Sequence, residues 1–272
     1  MQNIYTLSVL TFREALSRKV FLFFFGVSTF VLFLFAVLFV AISPESFSGM
    51  SSVGAASNSI HTSIARGLKF FITVPLFGGG LFISIFSVAN FIPQMLEKGN
   101  IDLLLSKPVS RAQIILGKFF GGTAMVFVNV AYLVIGIWFL IGIKFGDWEP
   151  AFLLTILTIT FAFAILYALI ILIGIITKSS VMSMVVSYLI FFIFSPIIAN
   201  RESIISFVGG GVVGFILEFL HYIVPQTSEL STITSDLAAG NSLLSTEPIF
   251  TSLILLVVFL LISSSIFKKK DY

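Results

Sequence analysis

The chain has 272 residues, 58% of them hydrophobic and only 10% charged, and its mean hydropathy is +1.15. Its apolar runs are far longer than a soluble core helix needs, which makes it an integral membrane protein. The absence of Cys excludes disulfides, thiolate metal sites and cysteine nucleophiles, and a net charge of +3 is too small to imply a nucleic-acid partner.

The first nineteen residues predict an amphipathic helix. Tyr5, Val9, Phe12, Leu16 and Val20 recur at helical spacing, while Thr6, Arg13, Glu14, Ser17 and Arg18 take the opposite side. A helix of this kind suits the inner membrane surface. The apolar run that follows exceeds a secretory h-region, so it is expected to stay as an anchor although Ala41-Ile-Ser43 would pass as a cleavage site. Crossing the hydrocarbon core takes about 20 apolar residues. Six segments meet that requirement: 20–42, 70–91, 114–143, 152–176, 181–198 and 249–267.

Six spans put both termini on one side, and the Lys/Arg distribution sets which side. With the termini in the cytoplasm, Arg13, Arg18, Lys19, Lys98, Lys107, Arg111, Lys118, Lys178 and Lys268 to Lys270 lie inside, and only Arg66, Lys69, Lys144 and Arg201 lie outside. The stretch 204–224 is apolar enough to be considered a seventh span. It carries Gly209-Gly210-Gly211 and then Glu218 and His221, and a full crossing would place the terminal lysines outside. It is expected to be a re-entrant or interfacial helix covered by the other helices, within an outer loop of 199–248. The rest of that loop is rich in Ser, Thr, Asn and Asp and reads as loop with short helices.

A polar island at 94–111 separates the second and third spans. Glu97-Lys-Gly-Asn100 predicts a turn, Asn100 an N-cap for a short helix over 101–105, and Lys107-Pro108 its stop. Ser110-Arg-Ala-Gln113 has the capping-box pattern and opens the third span. The result is a short helix along the membrane, held at both ends by turns, where another protein can push.

At these residues the chain resembles a known family. Asp102-Leu-Leu-Leu-Ser-Lys-Pro-Val-Ser-Arg111, followed by Ile115-Leu-Gly-Lys-Phe119, is similar to the segment joining spans two and three in permeases of the type-two ABC exporter family. Span number, amphipathic start, length and the outer Tyr222-Ile-Val-Pro225 extend the likeness over the chain, nearest to the subfamily serving nitrous oxide reductase maturation. Where members of that subfamily often carry several acids and Gly-Thr, this chain has Glu97-Lys-Gly-Asn100.

The resemblance implies an all-α membrane domain over 1–272, with an elbow helix at 1–19 carrying Arg13, Glu14 and Arg18. It implies a cytoplasmic coupling helix in 94–111, with Glu97, Lys98, Asp102, Lys107, Pro108 and Arg111 meeting an ATPase and Leu103, Leu104 and Leu105 as an apolar plug. Two copies of a cytosolic ABC ATPase, which would hold the ATP and Mg, and a second permease copy or homologue are the implied partners. The implied location is a prokaryotic cytoplasmic membrane, with the lipid bilayer as solvent.

The chain's own residues agree that ATP is hydrolysed elsewhere. Gly117-Lys118 lacks the earlier glycine of a phosphate-cradling loop and begins a span, so no cofactor site is expected. Glu218-Phe-Leu-His221 matches half of a di-iron motif without the other carboxylates, and reads as exposed polar positions on an interfacial helix. Apart from Lys118 at the start of the third span, which reads as snorkelling to the inner interface, the spans hold no Asp, Glu, Lys, Arg or His, which discourages an ion-coupled carrier working alone. Asn90, Asn129, Tyr132, Tyr167 and Tyr188 are the polar groups at depth. Helix-to-helix hydrogen bonding is the simpler reading of each, with Asn90 and Asn129 retained as a candidate translocation path. Gly117-x-x-x-Gly121 with Gly122 predicts close helix packing, and Gly78-Gly-Gly80 a bend or a hinge. A non-transporting anchor or assembly subunit is the remaining alternative.

Overall fold

A computed structural model describes residues 2–17, 19–41, 57–97, 99–100, 109–241 and 245–270. Among these every regular element is a helix: α1 (Gln2–Ser17), α2 (Lys19–Ala41), α3 (Ser57–Val88), α4 (Phe91–Met95), α5 (Arg111–Phe145), a 3-10 turn (Pro150–Leu154) and α6 (Thr155–Thr177). Then follow α7 (Ser180–Leu189), a π turn (Ile190–Phe194), α8 (Ser195–Ala199), α9 (Arg201–Val208), α10 (Val212–Ile223), α11 (Thr227–Ala238) and α12 (Glu247–Lys269). Six helical stretches are long and apolar enough to cross a bilayer, in the order expected.

The six are not equivalent. α6 is apolar on every face, and 78% of its spanning window is buried, against 17% for α2. A helix that is hydrophobic all round belongs in the middle. α5, α7, α11, α12 and α3 accordingly pack around it. α2 leans on the outside of α5 and runs parallel to it, joined by the stacked rings of Phe25 and Tyr132 (4.5 Å between centroids) and the edge contact of Phe39 with Phe145 (6.0 Å). Gly136 makes room there for Leu32, because a methyl at Gly136 would come within 2.7 Å of Leu32 Cδ2.

Two helices are longer than the membrane requires. At 1.5 Å per residue, the 32 residues of α3 and the 35 of α5 span about 48 and 52 Å. α3 therefore begins at Ser57, well ahead of the expected 70. Its interior contains Pro75, and the helix continues unbroken through Gly78, Gly79 and Gly80. α5 ends where Gly146 takes a left-handed conformation (φ 70°) and its N–H donates to the Gly142 carbonyl, an ending that glycine adopts at least cost. In the fifth span the π turn precedes Pro196, which has no N–H to give and crowds the preceding helical turn.

α1 packs chiefly along α5. Leu7 and Thr11 are buried, Phe12 and Leu16 also pack on the core, and Tyr5 is 74% exposed. The glycines of α5 select Leu7 and Thr11 for the contact. A methyl on Gly117 would meet Leu7 Cβ at 2.5 Å and one on Gly121 would meet Thr11 Cβ at 2.6 Å, so these two residues can only lie against bare backbone.

Candidate coupling site and a cleft within the spans

The helix ends that flank the 94–111 segment carry the residues singled out by the sequence. α4 closes onto a turn in which the Asn100 N–H donates to the Glu97 carbonyl (3.2 Å) and Gly99 has φ 92°. The Asn100 side-chain amide donates back to the Gln94 carbonyl (3.0 Å), and the residues it is expected to cap lie outside the described ones. Glu97 is exposed. Lys98, Asp102, Leu103, Leu104, Leu105, Lys107 and Pro108, and with them the short helix over 101–105, lie outside the described residues, as do Arg18 and the side chain of Glu14. Arg13 is exposed on α1.

The chain is described again from Val109, and the capping box is complete. Ser110 Oγ accepts from the Gln113 N–H (3.2 Å) and Gln113 Oε1 accepts from the Ser110 N–H (2.9 Å). Both orphan donors at the start of α5 are thereby satisfied, which fixes the direction in which the island enters the span.

Arg111 does something the sequence did not disclose. Its Nη1 donates to the carbonyls of Phe267 (2.8 Å), Lys268 (3.4 Å) and Lys270, and its guanidinium lies 5.7 Å from the centre of the Phe267 ring. The last carbonyls of a helix have no partners of their own and carry the negative end of its dipole, so a cation there satisfies both needs. Lys270 repeats the device one helix further on, donating from Nζ to the carbonyls of Ile175 (2.7 Å) and Ile176 (3.2 Å) at the end of α6. The residue expected to meet a partner is thus engaged within the chain, tying the start of α5 to the ends of α12 and α6.

The polar groups at depth mostly join helix to helix. Tyr167 donates to the Lys118 carbonyl (3.1 Å) with its ring over Gly122, Tyr188 to the Phe82 carbonyl (3.0 Å), and Thr29 and Tyr132 share a hydrogen bond (3.3 Å). Ser28 Oγ donates to Asn129 Oδ1 (2.7 Å) between α2 and α5. Asn129 Nδ2 is buried and has no partner. It lines a cleft of about 350 Å³ between α2, α3 and α5. Asn90 lies apart from that cleft, in the turn between α3 and α4, so the two asparagines are not brought together.

The opposite helix ends are held by buried ionic and polar clusters. Lys69 is completely buried, 2.9 Å from Asp147 Oδ2 and 3.8 Å from Glu149 Oε2, and 5.8 Å from the centre of the Phe152 ring. Glu149 is itself fixed, its carbonyl accepting from Trp138 Nε1 (3.1 Å) and its carboxylate lying against Gly240. α9 and α10 form a hairpin across Gly209-Gly210-Gly211, with Phe207 92% and Phe215 72% exposed. α11, despite its Ser and Thr content, is a packed helix with Thr227, Leu230 and Thr234 fully buried.

His221 is buried as well, correcting the expectation that it would be an exposed polar position; Glu218 is exposed as expected. Gln226 Nε2 lies 3.0 Å from His221 Nε2, Gln226 Oε1 accepts from Thr251, and Arg201 meets Glu229 at 3.2 Å. Burial lowers the His221 pKa from its usual value, the Arg201 guanidinium lowers it further, and the Glu229 and Glu247 carboxylates oppose them. No group of three or more His, Asp or Glu side chains suited to a metal occurs among the described residues.

A comparison with curated proteins gives no significant match. Residues 12–272 match the family described as ABC-2 family transporter protein. The match is to the family as a whole, so the likeness to permeases of nitrous oxide reductase maturation rests on the motif residues alone. With six apolar spans and a match over nearly its whole length, the chain belongs to the ABC-2 family of membrane transporter proteins.

Proposed function

We propose that the chain is the permease subunit of an ATP-driven exporter in a prokaryotic cytoplasmic membrane, with both termini in the cytoplasm and the 94–111 segment as the element on which a separate ATPase acts. The single observation that carries this reading is the junction at Arg111. The residue that ends the island grips the end of α12, and Lys270 beyond it grips the end of α6, so a push on the island reaches three spans at once. Rigid turns on either side of the island, at Glu97 to Asn100 and at Ser110 to Gln113, let little of that displacement be absorbed.

Family membership implies an ATPase partner, and the chain's own glycines agree. Gly117 and Gly121 lie under α1, and the Lys118 carbonyl is held by Tyr167, so this Gly-Lys pair has no room to cradle a phosphate. ATP and Mg are therefore assigned to the partner, in two copies, one for each subunit of a permease dimer. The exposed apolar faces of α2 and of the α9–α10 hairpin are the surfaces available for lipid and for the second subunit.

The test is reconstitution with the cognate ATPase in vesicles. Asp102→Arg or Leu104→Glu is expected to abolish substrate-stimulated ATP hydrolysis while leaving membrane insertion intact; normal stimulation in both variants would refute the coupling role.

A further inference from the structure

The cleft between α2, α3 and α5 has the character of a ligand site: a few hundred cubic ångströms, walls that are almost entirely apolar, and one hydrogen-bonded pair of polar side chains. It extends along α2 from Phe24 to Leu38, which at 1.5 Å per residue is about 21 Å, so it is elongated along the membrane normal. α2 and α3 touch sparsely, α5 forms the back wall, and Leu34 (44% exposed) and Leu38 (49% exposed) stand at the opening, which therefore faces sideways.

The space is built into the sequence. Gly79 and Gly80 line the cleft, and a methyl on either would meet no atom within 4 Å. Pro75 also lines it, so α3 gives up helical hydrogen bonding and side-chain volume on the same face. Water does not fill such a volume, because each molecule needs two to four polar partners. Among the described residues, Ser28 and Asn129 are the only polar side chains on the walls.

Asn129 is 1% exposed, and its amide can be satisfied only in part. Ser28 takes Oδ1, and Nδ2 has no acceptor. An amide N–H left unpaired at this depth is costly, so the cleft lacks one hydrogen-bond acceptor. Among the described residues no charged side chain lines it, which favours an uncharged acceptor.

We infer that the cleft binds one elongated, uncharged, single-chain amphiphile from the bilayer, with an oxygen accepting from Asn129 Nδ2 and the chain running along Val31, Phe35 and Leu38. The site holds whether or not that molecule is the transported cargo, and it is tested without ATP.

The full-length chain is reconstituted into phosphatidylethanolamine and phosphatidylglycerol vesicles containing a diazirine-tagged long-chain alcohol, irradiated, and mapped by peptide mass spectrometry. Labels are expected to concentrate at Val31, Ile83 and Leu133 over the lipid-facing Phe33 and Phe127. Gly80→Leu fills the cleft and should abolish the concentrated labelling while sparing Phe33 and Phe127. Asn129→Leu should lower alcohol labelling about fivefold, the loss of roughly one hydrogen bond, and leave labelling by a diazirine-tagged alkane unchanged. That arm gives an independent reading where Gly80→Leu fails to accumulate. Labelling no stronger in the cleft than at Phe33, or equal labelling in wild type and Gly80→Leu, overturns the inference. So does a disulfide between copies through Leu34→Cys that blocks the probe, which would make the cleft a subunit interface.

Discussion

Arg111 donates to the carbonyl of Lys270, and Lys270 Nζ in turn donates to the carbonyl of Ile175 at 2.7 Å. Residues 159 positions apart in the chain thus form a two-step relay in which each cation satisfies the orphaned end of a helix. The first step belongs to the end of the island, and the last belongs to the most buried helix of the protein. Local chemistry at the membrane surface is in this way connected to the core.

Arg111→Gln should keep the fold and loosen this connection. Hydrogen bonds to charged groups contribute about 1.5 to 3 kcal/mol when protected from water, and partial exposure of Arg111 brings the expected loss to about 1 kcal/mol. Thermal unfolding in detergent checks the stability. ATP hydrolysis by the assembled complex should persist while transport falls by a larger factor than stability alone explains.

Gly121→Leu should displace α1 from α5. Overpacking at a contact this close costs about 1 to 3 kcal/mol, and the first α1 residues to separate are Leu7 and Thr11. Hydrogen exchange of the α1 amides should be faster in the Gly121→Leu variant than in wild type.

Lys69→Met should be among the most destabilising single changes outside the core, because it leaves Asp147 and Glu149 facing each other without their cation. Breaking a buried pair costs about 3 to 5 kcal/mol, and the 13% and 25% exposure of the two acids places the expectation near the lower figure. Lys69→Met with Asp147→Leu should recover part of the loss. A double-mutant cycle by thermal unfolding measures it.

His221 should make the packing of α10 on α11 sensitive to acid. Its folded-state pKa lies below the usual 6.5, so the unfolded form takes up the proton first. Stability is then full above 6.5 and falls as pH drops through and below it, by no more than about 1.4 kcal/mol per pH unit. Hydrogen exchange of the Thr227–Ala238 amides, corrected for intrinsic rates, should accelerate between pH 6.5 and 5. His221→Gln should flatten that response.

The six spans, the capping box and the small-residue face of α5 were legible because each is written in neighbouring residues. Length, apolar run and the Ser110 to Gln113 spacing need no knowledge of distant chain. Other features depend on partners far away in sequence. Nothing near Arg111 announces the carbonyls of α12, and nothing near Lys69 announces Asp147. The same holds for His221, which looks like one polar residue on an apolar helix until Gln226 and Thr251 close over it. The contact of α1 with α5 likewise depends on distant chain, because the glycines of α5 select whichever residues fit their backbone, here Leu7 and Thr11.

The role assigned to the island requires that it lie in the cytosol, and one labelling experiment decides this. Asn100→Cys, the only cysteine in an otherwise cysteine-free chain, is exposed to a membrane-impermeant maleimide in intact cells and in inside-out vesicles. Labelling confined to the vesicles is the expected result. Labelling in intact cells would invert the topology and leave the 94–111 segment with no ATPase to meet.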